Sequence, residues 1–305
     1  MIEQLTHTLP HGISLSCRAS GQAGRPVLMF LHGFPEAAFV WDALLEHFSQ
    51  PAHGGYRCIA PNLRGYENSS APSEVSAYRT KHLAQDIAAL IAIESPHAPL
   101  ASLIAHDWGG AVAWNLANQQ PALMQGLAII NSPHPGTFLR ELQNNPEQQA
   151  ASAYMNFLIR PDSEQLLAQD DYRRLWEFFS NMGAVDGAHA WLTEEVKTQF
   201  RKVWQHGLTG GVNYYRASPM RPPRPEDPAA ANLQLPHDML TVQIPTCVIW
   251  AMQDIALPPS LIEGLEAYIP HLTLHRVADG THWLVHEQPQ LVARYLEDFF
   301  NATAQ

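Results

Sequence analysis

The 305-residue chain has few cysteines, and the three it has, Cys17, Cys58 and Cys247, are odd in number and far apart. A disulfide framework needs pairs and a zinc site needs clustered ligands, so neither is expected, and the count fits a reducing, cytoplasmic setting. No apolar run approaches the ~18 residues of a membrane span. The opening MIEQLTHTLPHG lacks the basic and apolar segments of a secretory leader, and none is expected. Basic residues are also scarce: 18 Lys and Arg stand against 29 Asp and Glu, a formal charge of −11. That surplus repels phosphate backbones and anionic bilayers and argues against them, so no nucleic acid and no membrane is expected as a partner. A homo-oligomer is compatible with all of this.

What is present is a core-forming composition, 46% hydrophobic, arranged with a rhythm. Short apolar runs end in turns: PVLMFLHG (26–33), YRCIAPNLRG (56–65), ASLIAHD (101–107), GLAIINSP (126–133), TCVIWAMQD (246–254) and LTLHRV (272–277). Between them lie helix-like segments. In 79–94, Leu83, Ile87, Leu90 and Ile91 share one helical face, GGAVAWNLANQQ follows the third run, and PQLVARYLEDFF closes the chain. Fully apolar strands alternating with helices predict an α/β fold, a mostly parallel sheet flanked by helices. The rhythm breaks over 133–236, an aromatic-rich, helix-like stretch that ends in the stiff connector SPMRPPRPEDP. This reads as an inserted helical cap, leaving 1–132 and 237–305 as the core.

The strand-to-helix junction LIAHDWGGAVAW places Asp107 at the carboxyl edge of the sheet, where open α/β sheets put their sites. Gly109 and Gly110 let the helix sit close behind a sharp turn, as at a nucleophile elbow, and Ala105 stands where such elbows carry a first glycine. An aspartate there is also a good helix N-cap. Two further strand ends favour a catalytic role: Asp254 follows TCVIWAMQ, and His282 lies in DGTHWLVHEQP after the next strand. Nucleophile, acid and histidine in that chain order are the order of α/β-hydrolases. The LHGFPE turn offers the Phe34 N–H, and the elbow the Trp108 N–H, as an oxyanion hole. His32, His106 and Glu36 read as supports of the turns, and Asn131 as an uncharged competitor to Asp254. His286, four residues after His282, has no third ligand and no HExxH context, so no metal and no cofactor is expected.

A carboxylate nucleophile constrains the chemistry. Serine attacking saturated carbon would leave an ether. Aspartate leaves an ester whose own carbonyl water can then cleave. Asp107 therefore points to epoxide opening or halide displacement, and away from ester or amide hydrolysis.

The strings HGFPE, HDWGG and NSPHP, the capped insertion and the late Asp and His together resemble the epoxide hydrolases of the α/β-hydrolase fold, over nearly the whole chain. The resemblance implies a vicinal diol product, a small apolar epoxide as substrate, and two cap tyrosines that protonate the leaving oxygen. NYYR (213–216) points to Tyr215, with Tyr214 its competitor, and SAYMNFLIRP (152–161) points to Tyr154. It also implies a cis Phe34–Pro35 bond. The aromatic cap and Trp108 point to an apolar pocket, expected to be edged by Trp108, Phe34, Pro35 and Tyr214. Haloalkane dehalogenases resemble the elbow as well, but often carry an asparagine where Phe34 stands. Fluoroacetate dehalogenases place arginines on the nucleophile helix, where this chain has Gly109, Gly110, Ala111 and Val112. The remaining alternative is a hydrolase-fold binding protein without catalysis.

Overall fold

The computed structural model describes residues 1–186 and 188–303. In chain order the elements are β1 (Glu3–Thr8), β2 (Ser14–Ser20), β3 (Val27–Leu31), α1 (Asp42–Phe48), β4 (Arg57–Pro61), α2 (Thr80–Glu94), β5 (Ser102–His106), α3 (Trp108–Gln119) and β6 (Leu127–Ile130). Then come α4 (Pro135–Asn144), α5 (Pro146–Ala151), α6 (Tyr154–Leu158), α7 (Ser163–Asn181), α8 (Glu194–Trp204) and α9 (Thr209–Ala217). The chain ends in β7 (Thr246–Ala251), β8 (Leu272–Val277), α10 (Leu284–Glu287) and α11 (Pro289–Thr303).

The described strands form one sheet of eight in the order β1-β2-β4-β3-β5-β6-β7-β8. From β4 to β8 every neighbouring pair is parallel, while β2 runs antiparallel to both β1 and β4. The apolar runs are buried because of this layout: β3, β4, β5, β6 and β7 are buried at every position, with helices on both faces. Helix α2 turns Leu83, Ile87, Leu90 and Ile91 inward, as their 3.6-residue spacing predicts.

Strands β1 and β2 were not among the runs read from the sequence. Their composition, EQLTHT and SLSCRAS, is polar and alternates between half-buried and buried or exposed positions. An edge hairpin with one wet face has no continuous apolar run to signal it. Helices α4 to α9 fill the stretch between β6 and β7, over the carboxyl ends of the parallel strands. Helix α7 is interrupted at Gln169–Tyr172, where Asp170, Asp171 and Tyr172 take left-handed φ values. Among the described residues no helix is long and apolar enough to cross a membrane.

Candidate active site

Asp107 sits between β5 and α3 with φ 48° and ψ −121°. A non-glycine residue in this region carries strain of about 1–3 kcal/mol, and the surroundings must hold it there. They do so at close range. A Cβ on Gly109 would strike the Leu31 and His32 carbonyls at 2.5 and 2.6 Å, so α3 can start against β3 only because that residue is glycine. A Cβ on Gly110 would collide with Ser132, and one on Gly33 with the Asp107 carboxylate itself. Ser132 Oγ donates to the Asp107 carbonyl at 2.6 Å and fixes the turn from the β6 side.

The three acid and base candidates converge. His282 Nδ1 donates to Asp254 Oδ2 at 2.6 Å, and His282 Nε2 lies 3.8 Å from Asp107 Oδ2. Asp254 is held from four directions: His282 and Asn131 Nδ2 (2.8 Å) reach Oδ2, and the Ala256 and Leu257 N–H groups reach Oδ1 at 2.9 Å each. Burial opposes its charge, but the His282 cation and these donors leave Asp254 below the usual carboxylate range. Burial likewise opposes a charged His282. The Asp254 carboxylate, with Asp107 and Glu36 farther off, outweighs it and raises His282 to about 9. Phe34 N–H donates to Asp107 Oδ1 at 2.7 Å, and the Trp108 N–H opens α3, where first-turn donors have no intrahelical acceptor. The Phe34–Pro35 bond is cis.

Behind the elbow lies a network whose members stand apart in the sequence. His106 Nε2 donates to the His282 carbonyl at 2.9 Å, and Nδ1 to Glu36 Oε2 at 3.0 Å. His286 Nε2 donates to Glu36 Oε1 at 2.7 Å. Glu36 is buried, which opposes its charge, yet the two histidines hold it far below the usual carboxylate range. His106, the residue before Asp107, thus ties the His282 backbone to Glu36 of the HGFPE turn. His32 serves its own turn, accepting from Leu63 N–H and donating to the Gly33 carbonyl. Asn131, at φ 42°, holds Asp254 and also accepts from Ala251 N–H, so it is a fastener of the acid and not its replacement. Only tertiary distance exposes these links; no spacing in the sequence encodes them.

Facing the carboxylate is a cavity of about 280 Å³ bordered by Asp107, Trp108, Trp114, Phe138, Tyr154, Met220 and Leu257 among others. Tyr154 stands on its wall. The Tyr215 ring lies 6.1 Å from that of Tyr154 and packs edge-on against Trp108 and Phe34 at 5.0 and 5.2 Å. Burial is the first cause, and the Asp107 charge a further one, of raised values for both phenols, so both stay protonated at neutral pH.

Three of the four residues expected to edge the pocket do not border this cavity. Tyr214 is fully buried, and its hydroxyl donates to the Arg64 carbonyl at 2.9 Å. Phe34 turns its ring onto Gly211 and Tyr215. Pro35 lies under Trp204, whose indole N–H donates to its carbonyl at 2.8 Å. Trp108 alone of the four lines it.

Residues 26–289 match the family model described as alpha/beta hydrolase fold. The chain is 32% identical to AB hydrolase superfamily protein YfhM of Bacillus subtilis, covering 94% of this chain and 96% of the relative. It is 30% identical to mouse Epoxide hydrolase 4, over 92% of this chain and 74% of that protein. A solved structure described among novel epoxide hydrolases from metagenomes of hot environments superposes with a TM-score of 0.84 at 37% identity, covering 98% of each chain. The chain belongs to the α/β-hydrolase-fold family, alongside the epoxide hydrolases of that fold.

Proposed function

We propose that this protein hydrolyses a small, neutral, apolar epoxide to a vicinal diol through an ester on Asp107, with 133–236 acting as a cap over the core formed by 1–132 and 237–305. The observation that carries the reading is the placing of a carboxylate, not a hydroxyl, at the strained elbow, within 3.8 Å of a histidine that is itself tied to Asp254. The epoxide oxygen accepts hydrogen bonds from Tyr154 and Tyr215. An Asp107 oxygen attacks a ring carbon from the opposite side, the C–O bond breaks, and a phenol supplies the proton to the departing alkoxide. His282 then removes a proton from water, and the hydroxide adds to the Asp107 carbonyl carbon. The Phe34 and Trp108 N–H groups hold the oxyanion. As it collapses, the His282 cation gives its proton to the departing diol oxygen, and the proton left on the Asp107 carboxyl restores the protonation of the resting site.

The cavity supports the substrate class. Apart from Asp107, no Lys, Arg, Asp or Glu borders it among the described residues. His134, also on its wall, is pushed down to about 4 by burial and is neutral at working pH. A substrate with a carboxylate or an amine would find no counter-charge there. Dehalogenation would need a second donor aimed at the halide, and the Phe34 side chain has none.

The test is a single turnover in 18O-labelled water, with intact mass of a His282→Gln protein as its partner. The first diol should carry unlabelled oxygen from Asp107, and the variant should gain the mass of the epoxide. Solvent label in the first-formed diol would mean direct hydration and would end the ester route.

A further inference from the structure

At the opposite edge of the sheet, where the parallel strands begin, three side chains from separate elements meet. His47 lies in the last turn of α1, His53 ends the short helical turn Pro51–His53, and Glu297 projects from α11. His47 Nε2 and His53 Nδ1 donate to one and the same oxygen, Glu297 Oε1, at 2.8 and 2.7 Å. The two rings stack with centroids 3.7 Å apart and 29° between planes. None of the three takes part in the chemistry proposed above.

Two imidazoles aimed at a single oxygen form a converging set of donors. A ring nitrogen that donates its N–H along a line offers its lone pair along the same line once the proton is elsewhere. All three ligand atoms already lie within 4.8 Å of one another. An ion bound at about 2.0–2.1 Å from imidazole nitrogen and about 2.0–2.2 Å from carboxylate oxygen spaces its tetrahedral ligands roughly 3.4 Å apart. The two nitrogen–oxygen spacings need to widen by roughly half an ångström, which Glu297, a long side chain that is 31% exposed, can supply by drawing back, while the half-exposed rings splay from their stack. Each ring must then carry its proton on the far nitrogen. Among the described residues neither His47 Nδ1 nor His53 Nε2 has a hydrogen-bond partner, so the change of tautomer gives up only the two bonds to Glu297, which the ion replaces.

We propose that His47, His53 and Glu297 form a surface site for a divalent transition-metal ion of the zinc class, separate from the catalytic centre. Two nitrogens and one oxygen suit zinc, copper or nickel and not magnesium or calcium, which prefer oxygen alone. The fourth position opens to solvent and takes water. Because the ligands come from α1, the turn after it and α11, an ion there would clamp the C-terminal helix to the core. Glu297 is 250 and 244 residues from its two partners along the chain, so no local motif announces the site.

The experiment titrates tag-free protein, stripped with chelator and dialysed, with zinc chloride in a calorimeter, and repeats thermal melts with and without zinc. The expected result is a single ion per chain and a raised melting temperature. His47→Gln, His53→Gln and Glu297→Gln should each weaken binding by about tenfold or more, while His282→Gln binds as the wild type does. No zinc uptake by the wild type overturns the proposal. So does unchanged binding in all three variants, or loss of binding in His282→Gln, which would put the ion at the catalytic histidine. The wild-type stoichiometry needs no variant, so a variant that fails to fold leaves that test standing.

Discussion

His282 is buried and yet raised to about 9, because Asp254 holds it directly and Asp107 adds a second negative charge across 3.8 Å. In the resting protein the imidazole is therefore charged at neutral pH. In the proposed route, ester formation neutralises Asp107, removes one of the charges that hold the proton and leaves a phenolate that takes it up, which frees His282 to act on water. Asp107→Asn should consequently lower the His282 value, as read by NMR titration of the ring; a wild-type His282 titrating in the ordinary histidine range would contradict this. In the proposed reaction the two phenols act earlier. Tyr215→Phe should slow ester formation by about 10- to 100-fold, with Tyr154 sharing the load, and the double phenylalanine variant by more than about 10³-fold in pre-steady-state kinetics. Epoxide turnover at the wild-type rate in the double variant would remove both tyrosines from the reaction. At this scale Asp107, Asp254 and His282 were legible because each lies just past the end of a strand, directly after β5 for Asp107 and a few residues beyond β7 and β8 for the other two. Asn131 and His106 were not legible as partners, because their hydrogen bonds join strands far apart in the chain.

The element that delivers Tyr215 is α9, and its position depends on a contact between two glycines. Gly65 follows β4 at φ +91°, and a Cβ on Gly210, at the start of α9, would run into the Gly65 backbone at 2.7 Å or less. Backbone cannot turn aside as a side chain can, so Gly210→Ala must lift α9 away from the core. Such overpacking costs about 1–3 kcal/mol, and a reacting group misplaced by about 1 Å can lose about 10²-fold in rate. The expected outcome is a folded protein with a somewhat lower Tm and kcat reduced by about 10- to 100-fold, although no catalytic side chain has changed; wild-type kcat in that variant would break the link between α9 seating and Tyr215. Neither glycine stood out in the sequence. A glycine needed for a distant backbone looks the same as one in any loop, whereas Gly109 and Gly110 were readable because the elbow they serve is local. The same distinction separates the six apolar strands, visible as runs, from β1 and β2, whose pairing only the assembled sheet reveals.

Across the whole molecule, the alternation of strand and helix announced a parallel sheet, but not that β4 would sit between β2 and β3. Strand order depends on crossovers, which leave no mark in composition. The buried histidines carry a property of the same scale, the dependence of stability on pH. His32 and His134 are pushed by burial from 6.5 to about 4. In the unfolded chain they take up protons below about 6.5, so the unfolded state binds more protons and stability falls as pH drops from there. At pH 5 each contributes a loss of about 2 kcal/mol. His282 has the opposite sign. Its folded value lies above the unfolded one, so its contribution is complete below about 6.5 and disappears as pH rises towards 9, a loss of about 3 kcal/mol. Above that the buried thiols Cys17, Cys58 and Cys247, each pushed from 9.0 up to about 12 by burial, extend the decline, since the unfolded chain ionises them first. Stability should therefore peak near neutral pH and fall on both sides, steeper towards acid, where two histidines act together. Urea unfolding across pH 5 to 9 reads the curve directly. His134→Gln should flatten the acid arm and His282→Gln the alkaline arm. An acid arm of undiminished depth in both His32→Gln and His134→Gln would show that these rings are not what the folded protein keeps neutral.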